Sequence, residues 1–139
     1  MLTLLDTNVL IRLRSGDALI GDQTRERLRS GAEQGALAVS AVSFHEVSRL
    51  CRDGIVSLDM SILDWCRRCV TSGVVAIPVG WEIAVAAPQL ANEGFHGDPF
   101  DQTIVATAIH QGIPLVTTDR AILGWANDSG QLDVLNARK

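Results

Sequence analysis

Short apolar runs alternate with longer amphipathic or charged segments, and this alternation constrains the fold more than any other feature of the sequence. The runs have the length of buried strands, and the segments between them have helical length and spacing. The predicted strands are residues 2–5, 37–40, 74–77, 115–117 and 132–135, and the predicted helices are residues 17–34, 43–52, 61–71, 81–92, 101–110 and 120–127. The pattern predicts an α/β fold, with helices on both faces of a central, mainly parallel sheet of about five strands.

The length and composition suit one soluble domain. The chain has 139 residues, of which 47% are hydrophobic, and we expect residues 1–139 to form a single domain with its own core. No apolar run approaches the roughly 20 residues that span a bilayer, and the N-terminus lacks the pattern of a signal peptide. Three cysteines are too few for a disulfide framework, so we expect a cytoplasmic protein with no membrane attachment.

The charge balance excludes a protein that binds nucleic acid by bulk electrostatics. The chain has 12 basic and 16 acidic residues, a net charge of −4, whereas such proteins are strongly basic. Tyrosine is absent, and with three Phe and three Trp a base-stacking platform is not expected. Any RNA contact must therefore come from a few placed arginines.

Carboxylates follow the predicted strands at positions that bring them to one edge of the sheet. Asp6 comes directly after the first strand and Asp119 closely follows the fourth. Glu46 is predicted in the first turn of the helix after the second strand, and Asp98 and Asp101 flank the start of another helix. Because parallel strands end at the same edge, four separate segments are expected to deliver carboxylates to one place.

Such a cluster predicts a site for a hard divalent cation. Crowded carboxylates repel one another without a cation, and oxygen-only ligands favour Mg²⁺ or Mn²⁺, which activate water in phosphodiester hydrolysis. Each acid alone has a second interpretation as a helix cap: Asp6, Asp98 and Asp119 precede helices, and Ser43-x-x-Glu46 fits a capping box. The cluster as a whole favours the metal site.

Four segments, in order and spanning nearly the whole chain, resemble the motifs of PIN-domain ribonucleases, the third in the form found in VapC toxins. They are residues 4–11 (LLDTNVLI), 40–47 (SAVSFHEV), 98–108 (DPFDQTIVATA) and 114–119 (PLVTTD). The resemblance implies a three-layer α/β/α PIN-like fold and a Mg²⁺- or Mn²⁺-dependent endoribonuclease. For VapC members it also implies a toxin of a type II toxin–antitoxin module, which inhibits translation or growth and is neutralised by a cognate antitoxin.

The resemblance also implies roles for individual residues. The residues that match the family's acidic quartet are Asp6, Glu46, Asp101 and Asp119. Asp6 and Asp101 are expected to be the principal metal ligands, and Asp98 matches an extra acid of the subgroup that can add to the metal site. One departure is Gln102, where many relatives carry Arg, which affects a contact with substrate or antitoxin. A homodimer and a toxin–antitoxin hetero-oligomer are implied by the resemblance only.

Five further residues are weaker candidates. Thr7, Asn8 and Thr118 are predicted to support the site through hydrogen bonds, and Arg12 and Arg49 to steer RNA. Their alternatives are local turn or cap residues and a solvated helix face. The antitoxin is expected to cover the site with an Arg-bearing tail, since guanidinium pairs with carboxylates.

Other chemistries are excluded or disfavoured. A haloacid-dehalogenase-like phosphatase needs a second Asp at position 8, which is Asn8, and a lysine near the site; a receiver domain also needs a lysine, and only Lys139 exists. The spacing of Cys66 and Cys69 resembles a metal motif, but we expect core thiols because a closed zinc site needs four ligands. The remaining alternative is a degenerate PIN-like domain that binds RNA or protein, and the intact quartet speaks against it.

Overall fold

The computed structural model describes residues 1–16 and 20–139. Within these ranges the strands are β1 (Thr3–Leu5), β2 (Leu37–Ser40), β3 (Val75–Ile77), β4 (Leu115–Thr117) and β5 (Val134–Asn136). The helices are α1 (Thr7–Ser15), α2 (Asp22–Glu33), α3 (Ala41–Arg52), α4 (Ile62–Thr71), α5 (Trp81–Gln89), α6 (Pro99–Gln111) and α7 (Arg120–Ser129), with a 3₁₀ turn at Leu90–Glu93.

The five strands form one parallel sheet in the order β3-β2-β1-β4-β5. The chain moves outward from β1 through β2 to β3 and then returns to the other side of β1 as β4. The switch point therefore lies between β1 and β4, where Leu5 pairs with Val116. Ligands of open parallel sheets bind beyond the carboxyl ends of the strands at such a point.

Successive strand side chains point to opposite faces of the sheet, and each face packs into its own hydrophobic cluster. Leu4 belongs to the cluster under α5, α6 and α7, whereas Leu5 belongs to the cluster under α1, α2, α3 and α4. This alternation is the expected period of a strand that is buried on both faces. The predicted three-layer α/β/α architecture is confirmed.

The boundaries of several elements differ from the predictions. The second and fourth strands begin and end where predicted, but the last strand is Val134–Asn136 because its register follows β4, and Leu132 packs in the core before the strand begins. Pro88 lies one residue before the end of α5, which continues as the 3₁₀ turn. The start of the helix predicted at residues 17–34 falls on residues 17–19, outside the described residues; the helix described there begins at Asp22.

The start of α3 corrects the predicted place of Glu46. Ser40, not Ser43, caps this helix, and its hydroxyl accepts a hydrogen bond from the Val42 N–H at 3.1 Å. The helix therefore begins at Ala41, so Glu46 lies in its second turn and the capping-box interpretation was wrong. Ser43 is instead buried inside the first turn.

The cysteines and Trp65 belong to the core, whereas Trp81 does not. All three thiols are unpaired, Cys69 is buried, and Cys51 and Cys66 pack against the same cluster as Trp65. Burial raises the pKa of Cys66 to about 11, so this thiol stays protonated. Trp81 is exposed on α5. Among the described helices, none combines the length and apolar character that crossing a bilayer requires.

Candidate metal centre

The predicted acids lie at the carboxyl edge of the sheet around the switch point. Asp6 and Asp119 cap α1 and α7 directly beyond β1 and β4, which are neighbours in the sheet. Asp98 caps α6 and Asp101 lies in its first turn, and the other end of α6 leads into β4. Glu46 reaches the same region from α3, which follows β2.

Asp6 is the most deeply buried of these acids. Its Oδ1 accepts a hydrogen bond from the Thr7 N–H at 2.8 Å, and its Oδ2 accepts one from the Thr117 hydroxyl at 2.6 Å. Burial raises the pKa of Asp6; these two hydrogen bonds oppose the rise, and the charges of Asp119 and Asp98 add to it. The side chain is therefore fixed in orientation but electrostatically unfavourable as an anion.

The pKa of Asp101 is the clearest indication that the acids lie close to one another. Burial raises the pKa of its carboxyl to about 7, and four neighbouring carboxylates add to the rise. In decreasing order of effect, these are Asp6, Asp98, Asp119 and Glu46. The carboxylates from four segments therefore lie close enough to act on Asp101 electrostatically.

Glu46 contributes a carboxylate oxygen that has no partner. Its Oε1 is buried and accepts no hydrogen bond from a described residue. Burial raises the pKa of Glu46; the Thr7 hydroxyl opposes the rise, the charge of Asp6 adds to it and the charge of Arg49 opposes it. A buried polar atom without a partner is costly, and at a functional site it indicates a missing ligand.

Two of the acids that lie together at the sheet edge, Asp98 and Asp119, also cap helices. Asp98 Oδ1 accepts from the Asp101 N–H at 2.8 Å, and Asp119 Oδ1 accepts from the Ala121 and Ile122 N–H groups at 2.8 and 3.2 Å. Each cap uses one carboxylate oxygen and leaves the other without a described donor. In their present rotamers, no three His, Cys, Asp or Glu side chains of the described residues stand at ligand distance of a common point.

An aromatic and a cationic side chain border the carboxylates. The Arg49 guanidinium carbon lies 5.6 Å from the centroid of the Phe100 ring. His45 meets the same ring edge-on, with centroids 5.3 Å apart and planes at 77°. Arg12, in contrast, is half-buried on α1, and no described contact joins it to the carboxylates.

Comparison with known proteins identifies the fold that carries this site. A sequence profile of the PIN domain matches residues 3–124. The chain belongs to the PIN domain family. It is 33% identical over 102 residues to ribonuclease VapC22 of Mycobacterium tuberculosis, covering 70% of this chain and 77% of that one.

Solved structures share the whole PIN fold at lower sequence identity. The DNA-bound VapBC complex from Salmonella typhimurium contains a chain that is 21% identical and superposes with a TM-score of 0.69, covering 98% of both chains. VapBC-1 from nontypeable Haemophilus influenzae gives 18% identity and a TM-score of 0.68, covering 100% of both chains. VapBC2 from Rickettsia felis, bound to a promoter DNA fragment, gives 17% identity, a TM-score of 0.67 and 98% coverage of both.

Three residues of this PIN domain site were not predicted from the sequence. Thr117 bonds Asp6, whereas the predicted neighbour Thr118 is buried and makes no side-chain hydrogen bond to a described residue. Ser43 accepts the Thr7 hydroxyl hydrogen bond at 2.8 Å, and Phe100 supports Arg49. The first two contacts depend on strand register and helix phase, which one sequence does not reveal.

Two further predicted residues have different surroundings. Asn8 lies exposed in the first turn of α1, and its side chain contacts no described residue by a hydrogen bond. Gln102 donates from Nε2 to the Phe95 carbonyl at 3.3 Å, so it ties α6 to the preceding loop. The amide therefore serves the local structure.

Proposed function

We propose that this PIN domain is a Mg²⁺- or Mn²⁺-dependent endoribonuclease and the toxin of a toxin–antitoxin pair that acts in the cytoplasm. One observation carries the proposal: at the sheet edge where four segments bring their acids, burial and then the charges of four other carboxylates raise the pKa of Asp101 to about 7. A protein gains nothing in stability from such crowding without a cation. The name of the relative VapC22, a ribonuclease, supports RNA as the substrate.

The residues present fit a hard divalent ion. All candidate ligands are carboxylate oxygens, the buried Glu46 Oε1 lacks a partner, and the second oxygens of Asp98 and Asp119 have no described donor. Asp6 and Asp101 would be the principal ligands, with Glu46, Asp119 and Asp98 completing the set. A bound Mg²⁺ or Mn²⁺ would supply Lewis acidity, lowering the pKa of water and neutralising charge on the phosphate.

The chain's own groups then have separate tasks in hydrolysis. Water adds to phosphorus, the bond from phosphorus to one nucleoside oxygen breaks, and that oxygen leaves with a proton. Asp119 or Glu46, whichever of the two does not bind the ion, is suited to orient the attacking water, because each keeps a carboxylate oxygen without a described donor. The Thr117 hydroxyl holds Asp6 in place through a hydrogen bond. The Thr7 hydroxyl donates to the hydroxyl of Ser43, which precedes Glu46 by three residues on α3. No side-chain nucleophile is required.

An antitoxin is the proposed partner, because solved structures with the same fold are toxin–antitoxin complexes. A guanidinium from the partner would satisfy the carboxylates in place of a metal ion. Mixing purified antitoxin with this chain should therefore stop cleavage and weaken Mn²⁺ binding together.

Cleavage of cellular RNA by the purified chain tests the proposal. Wild type should cut RNA with Mg²⁺ or Mn²⁺ and not with chelator, and Asp6→Asn should be inactive while remaining folded by circular dichroism. Sequencing the new 5′ ends after brief expression would identify the RNA. Cleavage by Asp6→Asn at the wild-type rate, or wild-type cleavage in chelator, would refute the proposed function; RNA binding without cleavage would favour a binding module.

A further inference from the structure

Arg49 differs from the ion-paired arginines of the described chain. Arg29, Arg52 and Arg67 each contact a carboxylate of a nearby residue at 2.6, 3.0 and 3.1 Å. Arg49 forms no ion pair or hydrogen bond with a described residue, and its guanidinium rests against the ring of Phe100 instead. Because the ring accepts no hydrogen bond from the guanidinium and no described residue pairs with it, its N–H donors stay available for a ligand.

The position of Arg49 makes this lack of pairing informative. It follows Glu46 by three residues on α3, a spacing that favours an ion pair between the two side chains. The Arg49 charge acts on the Glu46 carboxyl, yet the two groups do not pair and Glu46 Oε1 stays without a partner. Phe100 comes from the first turn of α6, directly before Asp101, and its ring lies against the Arg49 guanidinium.

A substrate strand needs a cation at this place. The chain has a net charge of −4 and acids crowd the sheet edge, so an RNA backbone would be repelled on both sides of a phosphate whose charge a bound metal ion would neutralise. A guanidinium at the border of the site binds a neighbouring phosphate with two N–H donors. If Arg49 paired with Glu46, both the phosphate contact and the free carboxylate oxygen would be lost.

We propose that Phe100 is a positioning residue that holds Arg49 at the border of the carboxylate cluster, where Arg49 binds a phosphate of the RNA strand next to the phosphate that is cut. The inference rests on the proposed ribonuclease function and adds to it a defined contact with the substrate. His45, which precedes Arg49 by four residues on α3, also contacts the Phe100 ring, in an edge-on arrangement.

RNA binding in an Asp101→Asn background tests the contact without cleavage and without metal. The affinity of a short fluorescent single-stranded RNA is measured by anisotropy over a range of salt concentrations. Adding Arg49→Gln should weaken binding and lower the slope of log affinity against log salt by about 0.7, the value for one phosphate contact. Arg29→Gln is the matched control, because Arg29 is exposed on α2 near the opposite edge of the sheet and should leave the slope unchanged.

Variants at Phe100 test the positioning role. Phe100→Leu keeps the apolar volume and should reproduce most of the Arg49→Gln loss, and the double variant should be no weaker than Arg49→Gln alone. Phe100→Trp retains an aromatic face and should keep the parental slope. A purely structural role would instead weaken binding in Phe100→Leu and Arg49→Gln additively, with no change in salt slope.

The outcomes separate this inference from the proposed function. An unchanged salt slope in Arg49→Gln, or no RNA binding by the parent, would overturn the phosphate contact. Parental binding by Phe100→Leu would overturn the positioning role. Failure of the wild type to cleave RNA with Mn²⁺ would refute the proposed function alone, because the binding measurements do not depend on cleavage.

Discussion

At the scale of single residues, Asp101 carries the strongest electrostatic conflict at the site. Its side chain accepts no hydrogen bond from a described residue, and burial with neighbouring charges raises its pKa to about 7. The folded protein therefore binds a proton at Asp101 over a pH range where the unfolded chain, with an Asp pKa of about 3.9, has released it. Protons favour the folded state in this window, so metal-free stability should fall as pH rises from about 4 through 7.

Asp101→Asn should remove this loss of stability. We expect metal-free Asp101→Asn to be more stable than wild type by roughly 2 kcal/mol above neutral pH, after allowance for solvent screening, and equally stable at acidic pH. Urea unfolding in chelator across the pH range measures the effect. The control is Asp128→Asn on α7, an exposed acid that should leave the pH profile unchanged. A variant less stable than wild type at alkaline pH would contradict the pKa assignment.

Thr117 should be essential for the orientation of Asp6. Its hydroxyl donates to Asp6 Oδ2 and accepts from the Asp119 N–H at 3.0 Å, so it joins the ends of β1 and α7. Thr117→Val keeps the shape but leaves a buried carboxylate oxygen without its donor, at a cost of about 1–3 kcal/mol. Thr117→Ser should lose much less. Equal unfolding midpoints for the Val and Ser variants would show that the hydroxyl does not support Asp6.

The four aspartates were predictable because each stands at a strand end or a helix start, whereas Glu46 lies in the second turn of α3. The error at α3 arose because Ser40 and Ser43 are both good capping residues, and only the backbone shows which of them precedes the first helical turn. Thr117 and Thr118 posed the same ambiguity, since a strand presents alternate side chains to opposite faces. Choosing between them requires the pairing of β1 with β4.

At the scale of elements, the loop before α6 is held against the site by a close approach at Gly97. A Cβ atom on Gly97 would lie 2.6 Å from Phe95 Cζ and 3.1 Å from Asp101 Cβ. Phe95 is buried and packs against Trp125 with ring centroids 5.5 Å apart, so its ring has no room to yield. The glycine therefore permits the packing that brings Asp98 and Asp101 to the sheet edge.

Gly97→Ala should destabilise the protein by about 1–3 kcal/mol through overpacking, and should weaken Mn²⁺ binding because Asp101 is displaced. The matched control is Gly124→Ala in α7, where a Cβ would meet nothing within 4 Å; alanine there should stabilise by about 0.5–1 kcal/mol through helix propensity. Thermal unfolding and Mn²⁺ titration of both variants check the pair. The element assignment fails if Gly97→Ala is as stable as Gly124→Ala.

Element types followed from periodicity except at α1 (Thr7–Ser15), which is missing from the helices predicted by periodicity, and element ends did not follow from it. Buried strands consist of apolar runs, and these runs located β2 and β4 correctly. The last apolar run begins at Leu132, whereas the strand begins at Val134. Leu132 is apolar because it packs in the core, not because it pairs in the sheet. Hydrophobicity reports burial, and hydrogen-bonded pairing is a separate property.

At the scale of the whole molecule, strand order is what brings five carboxylates to one edge of the sheet. The order β3-β2-β1-β4-β5 places the ends of β1 and β4 side by side and brings α3 and α6 to the same edge. Alternating strands and helices predicted a parallel sheet and a shared edge, but several strand orders satisfy that pattern. The motif resemblance implied the three-layer fold, and the strand order comes from the observed pairing of β1 with β2 and β4.

Calorimetric titration of the metal-free chain with Mn²⁺ tests the central claim, a catalytic metal site built from these carboxylates. Wild type and Asp128→Asn should bind Mn²⁺ with the same affinity and release protons above the acidic range, because the raised carboxyl pKa values must fall on binding. Asp101→Asn should lose at least about 10-fold in affinity. Absence of Mn²⁺ binding by folded wild type, or wild-type affinity in Asp101→Asn, would contradict the account.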